Sequence, residues 1–214
     1  MKLGITLVAI ITITISDSSG CLAANWYPLP DTGQTKCYDN NDNITPCPAI
    51  GHPGHGQDAQ YVGLTPSYTD NANGTVTDNN TNLIWQQNTA DANKDGSITF
   101  NLFPTGDMLT WQDAIDYCEN LTFADSSDWR LPSMRELDSI FDYSRYSQRV
   151  SSVFKYELVS WHWSSTTYIH SSGDTGSAWG VMLNDNRTDI QAPGGEMIGG
   201  KEGANVFFCV RDGL

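Results

Sequence analysis

At 214 residues and 23.5 kDa the chain suits one domain, or one domain with a small appendage, long enough to bury a core without obligatory metals or disulfides. That length excludes a large multidomain enzyme, and a formal charge of −14 argues against polyanionic partners, nucleic acid first among them. The 25 acidic residues divide into 20 Asp and 5 Glu, beside 16 Asn and 19 Gly. Asp and Asn prefer turns and caps, because their short side chains bond the nearby backbone. The acidity is therefore expected in loops, and short carboxylates in loops are also what hard cations bind.

Lys2 precedes an apolar run over residues 3–15 that breaks into Ser16-Asp17-Ser18-Ser19-Gly20. The run is shorter than the roughly 20 residues a spanning helix needs. A basic residue, an apolar run and small residues read as a secretory signal over residues 1–20. Cleavage at Gly20-Cys21 would leave a lipoprotein acylated on Cys21, whereas cleavage near Ala23 or Ala24 would release a secreted protein.

Either route leaves Cys37, Cys47, Cys118 and Cys209 for an oxidising compartment, and four cysteines permit three pairings. Cys37 and Cys47 flank a short polar turn, which pairs them locally and leaves Cys118 with Cys209. Without a C-x-x-C there is no signal for a zinc knuckle or a thioredoxin-type redox pair.

Residues 21–63 are rich in Pro, Gly, Asp and Asn, yet Trp26, Tyr27, Tyr38 and Tyr61 punctuate them. They read as an irregular flap stapled by the Cys37–Cys47 bond, ahead of a domain over residues 64–214. Asn73-Gly74 before Thr75-Val76-Thr77, and the turn 78–81 before Leu83-Ile84-Trp85, predict a hairpin. Thr110, with Asp113 three residues on, starts a helix whose apolar stripe is Trp111, Ala114, Ile115, Cys118 and Leu121. Ser133 with Glu136 is a capping box that starts a second helix, with Leu137, Ile140 and Phe141 facing the core. Strands are expected over 160–167, 178–183, 188–191 and 206–211. The predicted class is α+β: two helices packed on short antiparallel strands, with long loops.

Asp91-Ala92-Asn93-Lys94-Asp95-Gly96-Ser97-Ile98 fits the opening of a calcium loop, D-x-N-x-D-G, with oxygen donors at positions 1, 3 and 5 and a glycine for the bend. The twelfth position is Leu102 where an EF-hand carries a bidentate Glu, so Asp107 is the nearest carboxylate to complete a set of Asp91, Asn93, Asp95 and Ser97. The competing reading is a solvated turn. A bound ion would order the segment ahead of the first helix rather than perform chemistry.

Trp161 and Trp179, near the loop Asn184-Asp185-Asn186-Arg187, offer an aromatic platform beside amide, carboxylate and guanidinium groups, which suits a sugar's C–H face and hydroxyls. Tryptophan is more often core, and Trp163 within Trp-Ser-Ser-Thr-Thr is assigned there. His52 and His55 lie in a Gly- and Pro-rich turn too loose to preset two imidazoles. His162 has no nucleophile signature beside it, and Arg130 and Arg135 read as structural partners of Asp128 and Glu136.

Several stretches taken together resemble the Lcl C-terminal domain family, named after a bacterial collagen-like adhesin. They are the run 75–85 from Thr75-Val76-Thr77-Asp78 to Leu83-Ile84-Trp85, Thr110-Trp111-Gln112-Asp113-Ala114 with Tyr117-Cys118, Asp128-Trp129-Arg130-Leu131-Pro132-Ser133-Met134-Arg135-Glu136-Leu137, Trp163-Ser164-Ser165-Thr166-Thr167, and Cys209-Val210-Arg211. The runs 31–39 and 56–61 resemble the lead-in of many members. The resemblance implies a fold similar to C-type lectins and formylglycine-generating enzymes, with a cysteine of the first helix bonded to one of the last strand. It also implies an exported binding or adhesion module, of bacterial type, rather than an enzyme. The expected partners are a glycan or another cell-surface or extracellular protein, with calcium as cofactor and self-assembly as a further expectation. The alternative is a structural subunit or decoration of an extracellular filament or envelope assembly, docking through the aromatic-rich flap. No collagen-like Gly-X-Y tract is present.

Overall fold

The structure, a computed structural model, describes residues 30–41, 43–99, 101, 104, 106–145, 149–155, 161–182 and 196–213. The signal segment, Cys21, Trp26, Tyr27 and the strand expected at 188–191 lie outside them. The flap carries β1 (Cys37–Tyr38) and β2 (Ile44–Thr45), an antiparallel pair closed by the Cys37–Cys47 disulfide. Its turns are built by Asx side chains: Asp39 Oδ1 accepts from the N–H groups of Asn41 (2.8 Å) and Asn43 (2.9 Å). The flap meets the rest of the molecule where Asp31 N–H donates to Leu64 O (2.9 Å) and Tyr143 N–H donates to Thr32 O (2.8 Å).

The predicted hairpin forms as β4 (Thr75–Asp78) and β5 (Leu83–Gln86), in the register Thr75↔Gln86, Val76↔Trp85, Thr77↔Ile84. Its turn is organised by Asp78, which accepts from Asn80 N–H (2.9 Å) and Thr81 Oγ1 (2.7 Å). With β3 (Tyr68–Asp70) and β11 (Val210–Asp212) it makes a four-stranded sheet in the order β11-β5-β4-β3. The short pair β6 (Leu109–Thr110) and β10 (Ala204–Asn205) sits before α1 (Trp111–Glu119), and α2 (Met134–Ser139) precedes β7 (Trp161–Tyr168), β8 (Ser177–Met182) and β9 (Glu196–Gly200), a second sheet in that order.

Both helix starts follow the sequence signals. Thr110 Oγ1 accepts from Asp113 N–H, and the Ser133–Glu136 capping box is closed in both directions. The α+β expectation of two helices packed on strands is nevertheless overturned. The described residues are mostly β, 32% strand against 12% helix, and among them α1 is the one helix of seven or more residues. The second helix stops after six residues. Ser139 Oγ donates back to Glu136 O (2.7 Å), and Phe141 leaves the helical path to bridge Val150, so that Ile140 and Phe141 bury in the core off the helix rather than along it.

Two apolar clusters flank the second sheet. One gathers Trp85, Leu137, Phe154, Val181 and Phe208; the other gathers Ala114, Cys118, Trp129, Trp163 and Phe207. Residues 206–210 are all fully buried, and their side chains alternate between the clusters: Phe208 and Val210 to the first, Phe207 and Cys209 to the second. Cys209 thereby meets Cys118 on α1, and the two are bonded, with Cα atoms 5.5 Å apart. The Trp-Ser-Ser-Thr-Thr stretch is a bulge in β7, where the register with β8 shifts between Trp163 and Thr167. The bulge docks both helices. Ser164 O accepts from Trp111 Nε1 (2.8 Å), and Thr166 Oγ1 accepts from Met134 N–H (3.0 Å).

Candidate functional site

A cavity of about 980 Å³ opens between the hairpin, the 88–94 segment and α1. Asn88, Asp91 and Lys94 of the 88–94 segment line it together with Asp113 and Tyr117 of α1 and Phe123. Local structure fixes each wall. Tyr117 lies half-buried on α1, edge-on to Phe207 at 5.3 Å, and its hydroxyl donates to Asp91 O (3.1 Å). Burial, with the charges of Asp91 and Asp107 behind it, pushes the Tyr117 phenol above its ordinary range, so it remains a neutral hydroxyl. Phe123 is held by the turn in which its backbone pairs with Ser126 and by Trp129 Nε1 donating to its carbonyl (3.1 Å). The ring lies over Gly74, where a Cβ would stand 2.8 Å from Phe123 Cζ. Gly74 also has φ +83°, so both backbone and space require glycine there.

The 91–97 loop forms one rim. Asp91 Oδ1 accepts from Asp95 N–H (3.1 Å) and its Oδ2 from Gly96 N–H (2.8 Å). Asn93 Oδ1 accepts from Asp95 N–H (3.0 Å), while Asp95 Oδ1 accepts from the N–H (2.9 Å) and hydroxyl (3.1 Å) of Ser97. The Ser97 N–H bond, ahead of the opposing effect of desolvation, holds the Asp95 carboxyl below its ordinary range. The structure therefore gathers Asp91, Asn93, Asp95 and Ser97 in one turn, with Gly96 at φ +85° making the bend. Asp107 occupies another place. It is fully buried, and its oxygens accept from the N–H groups of Ala92 (2.7 Å), Asn93 (3.2 Å) and Thr99 (2.7 Å), bracing the loop from beneath. Among the described residues no group of three or more His, Cys, Asp or Glu side chains is placed to share an ion.

Trp161 and Trp179 do not form one platform. Trp161 pairs with Met182 and, with Trp163, lies over Gly199 on one face of the second sheet. Trp179 sits three positions from Met182 along β8, on the other face, half-buried against the first cluster. Asn184, Asp185, Asn186 and Arg187 lie outside the described residues. Trp163 is fully buried, donating from Nε1 to Leu109 O (3.0 Å), and His162 stacks on Phe208 at 5.0 Å. His52 and His55 are on an exposed turn. Arg130 is structural as expected: its guanidinium reaches both oxygens of Glu136 (2.9 and 2.7 Å) and Asp212 Oδ1 (3.0 Å), tying α2 to β11. Burial would raise the Glu136 carboxyl, but these bonds and Ser133 N–H outweigh it and hold it below its ordinary range. Asn88 and Phe123 were not legible as site residues, and Asp113 and Tyr117 were read only as parts of the first helix.

A family model described as the Lcl C-terminal domain matches residues 74–211. The chain belongs to the Lcl C-terminal domain family. Membership points to a lectin-like or adhesion-type extracellular module, and the two disulfides agree with an extracellular or exported protein. The match begins at Gly74, the residue beneath Phe123, and ends at Arg211, one residue past the strand position that pairs with Trp85. Every described side chain named above as a wall of the large cavity falls within it. No curated protein and no solved structure matches the chain.

Proposed function

We propose that this family member is an exported binding module that takes a carbohydrate in the cleft of about 980 Å³ beside α1. The observation that carries the reading is the cleft's lining: half-buried aromatic residues Tyr117 and Phe123 share it with the exposed polar and charged residues Asn88 and Lys94. A pyranose presents an apolar C–H face and a girdle of hydroxyls, which such a wall matches at once. Asp91 and Asp113 outnumber Lys94 at the rim, as acids outnumber bases in the whole chain, so a neutral glycan is favoured over a sulfated polymer.

Calcium belongs to this reading as a structural ion of the 91–97 loop. Oxygen donors from Asp91, Asn93 and Asp95 share one turn, a donor set suited to a hard cation, and Asp107 braces the loop from the protein side. An ion there would stiffen the rim that carries Asp91 and Lys94. The action in this reading is binding rather than catalysis: a formylglycine-type enzyme uses a reactive cysteine pair, and both late cysteines here, Cys118 and Cys209, are committed to a disulfide. The protein is released, or held at the surface through Cys21, and meets a glycan or an extracellular protein carrying one.

Glycan profiling of the mature protein with and without chelator is the test. Saturable signal from neutral glycans, reduced by chelator and by Asn88→Ala or Asp113→Asn, is expected. An empty profile, or tight heparin binding that resists salt, overturns it.

A second reading, a subunit that docks on a neighbour in an extracellular assembly, is favoured by one observation. The flap exposes Ile50 at 87% and Val62 at 90% of their surface, beside exposed Tyr61. A defined oligomer in solution, dispersed by Ile50→Ser with Val62→Ser, would replace the glycan-binding reading with this one.

A further inference from the structure

We infer that a second ligand site, specific for a carboxylate-bearing sugar, lies in the cavity of about 370 Å³ between α2 and β8, on the side of the second sheet that Trp179 faces. It is lined by Ser133, Met134, Arg135, Asp138, Thr166 and Trp179. The argument starts from donors that have no acceptor. Among the described residues Arg130, Arg145 and Arg211 pair with carboxylates and Arg149 lies over the Phe141 ring, whereas Arg135 has neither. A chain with 25 acids against 11 bases leaves few guanidinium groups without a carboxylate, and this one is exposed at the mouth of a cavity.

Trp111, Trp129 and Trp163 each donate to a backbone carbonyl at 2.8–3.1 Å, while Trp85, Trp161 and half-buried Trp179 have no acceptor for the indole N–H among the described residues; of these three, Trp179 lines this cavity. Thr166 adds a third donor. Its oxygen already accepts from Met134 N–H (3.0 Å), which leaves its hydroxyl hydrogen for another acceptor. Asp138 is the acceptor in the lining, and it already takes the Tyr143 hydroxyl. A cavity with three unused donors selects an acceptor-rich ligand. A carboxylate answers the planar Arg135 fork, and a pyranose ring gives the Trp179 face an apolar surface. The single Arg and the neighbouring Asp138 fit one carboxylate on a terminal residue and disfavour a polyanion.

The site is separate from the cleft beside α1, so an empty neutral-glycan profile leaves it standing. The test is a titration followed at the Trp179 indole N–H by two-dimensional NMR, the signal assigned through Trp179→Phe. The probes are methyl glucuronide, methyl N-acetylneuraminate as its free acid, and methyl glucoside. At least one acid should shift that signal saturably, with the glucoside weaker by roughly tenfold or more, as loss of a charge-assisted bidentate contact implies. Whichever acid titrates at the lower concentration identifies the sugar. Arg135→Gln, an exposed change whose fold is checked by an unchanged melting temperature, should abolish the shift. No shift with either acid, an equal shift with the glucoside, or an unaltered titration in Arg135→Gln overturns the site.

Discussion

The flap and the family domain each carry one disulfide, yet the two bonds act on different kinds of structure. Cys118–Cys209 spans a sequence separation of 91 and joins α1 to the segment threaded between both apolar clusters, where both sulfurs are fully buried. Cys37–Cys47 spans a separation of 10 in a region whose large apolar side chains, Ile44, Ile50, Tyr61 and Val62, stand in solvent. The domain is ordered by burial and the bond reinforces it. In the flap, Asx turns, side-chain bonds such as Gln57 with Tyr38, and the disulfide carry the order that burial does not.

The sharpest way to break this comparison is to remove the domain bond. Closing a loop of 91 residues lowers unfolded-chain entropy by an amount worth about 4 to 5 kcal/mol. Replacing Cys118 and Cys209 together by Ala should cost that much in denaturant unfolding, most of the stability of an ordinary domain. A loss below about 1 kcal/mol would show that the bond adds little to the packing.

Gly74→Ala tests the packing side. A left-handed alanine costs about 1–2 kcal/mol, and displacing the Phe123 ring from a Cβ 2.8 Å away raises the total to about 2–3 kcal/mol. Because the same ring walls the large cleft, glycan signal should fall with stability. A stable variant with intact signal would place the ligand elsewhere.

Glu136→Gln probes the tie between α2 and β11. The Arg130 partner is partly exposed, so solvent screening reduces the expected loss to about 1–2 kcal/mol. The Glu136 carboxyl is lowered in the folded state from an ordinary value of 4.5, so its contribution is complete above that pH and disappears as pH falls through the folded value. The mutant should therefore lose stability at pH 7 and converge on the parent in acid. An equal deficit at every pH would mean the side chain acts by packing alone.

What the sequence disclosed follows from how local each cause is. Helix starts at Thr110 and Ser133, the 75–86 hairpin and the Cys37–Cys47 staple are each written within a few residues. The end of α2 is not, because no Gly or Pro marks it, and Ile140 and Phe141 keep a helical spacing while leaving the helix. Strand β9 is similarly silent: Glu196-Met197-Ile198-Gly199-Gly200 has little strand propensity, and Gly199 is needed because the Trp163 and Trp161 rings lie over it. The 91–97 turn could be read from its own spacing, but the cleft it borders draws Asn88, Asp113, Tyr117 and Phe123 from three segments that only the tertiary fold unites. Arg135, expected as a structural pair, has no carboxylate partner among the described residues, since Glu136 beside it turns to Arg130.

Removing the flap bond should have the smallest effect on the domain, and the reason separates local from global order. The chain-entropy relation assigns about 3 kcal/mol to a loop of this size, but that energy stabilises whatever unfolds when the loop opens. The flap reaches the domain through a few backbone contacts, Asp31 with Leu64 and Tyr143 with Thr32 among them, and through Gly33 beside Asp142. Among its described residues only Cys37 is a fully buried apolar one, and none belongs to either cluster. Replacing Cys37 and Cys47 by Ala should therefore leave the main unfolding midpoint unchanged while the 37–60 segment becomes open to protease and its amides exchange faster. If the midpoint falls by the full amount instead, the flap unfolds with the domain as one cooperative unit, and the contrast between the two disulfides disappears.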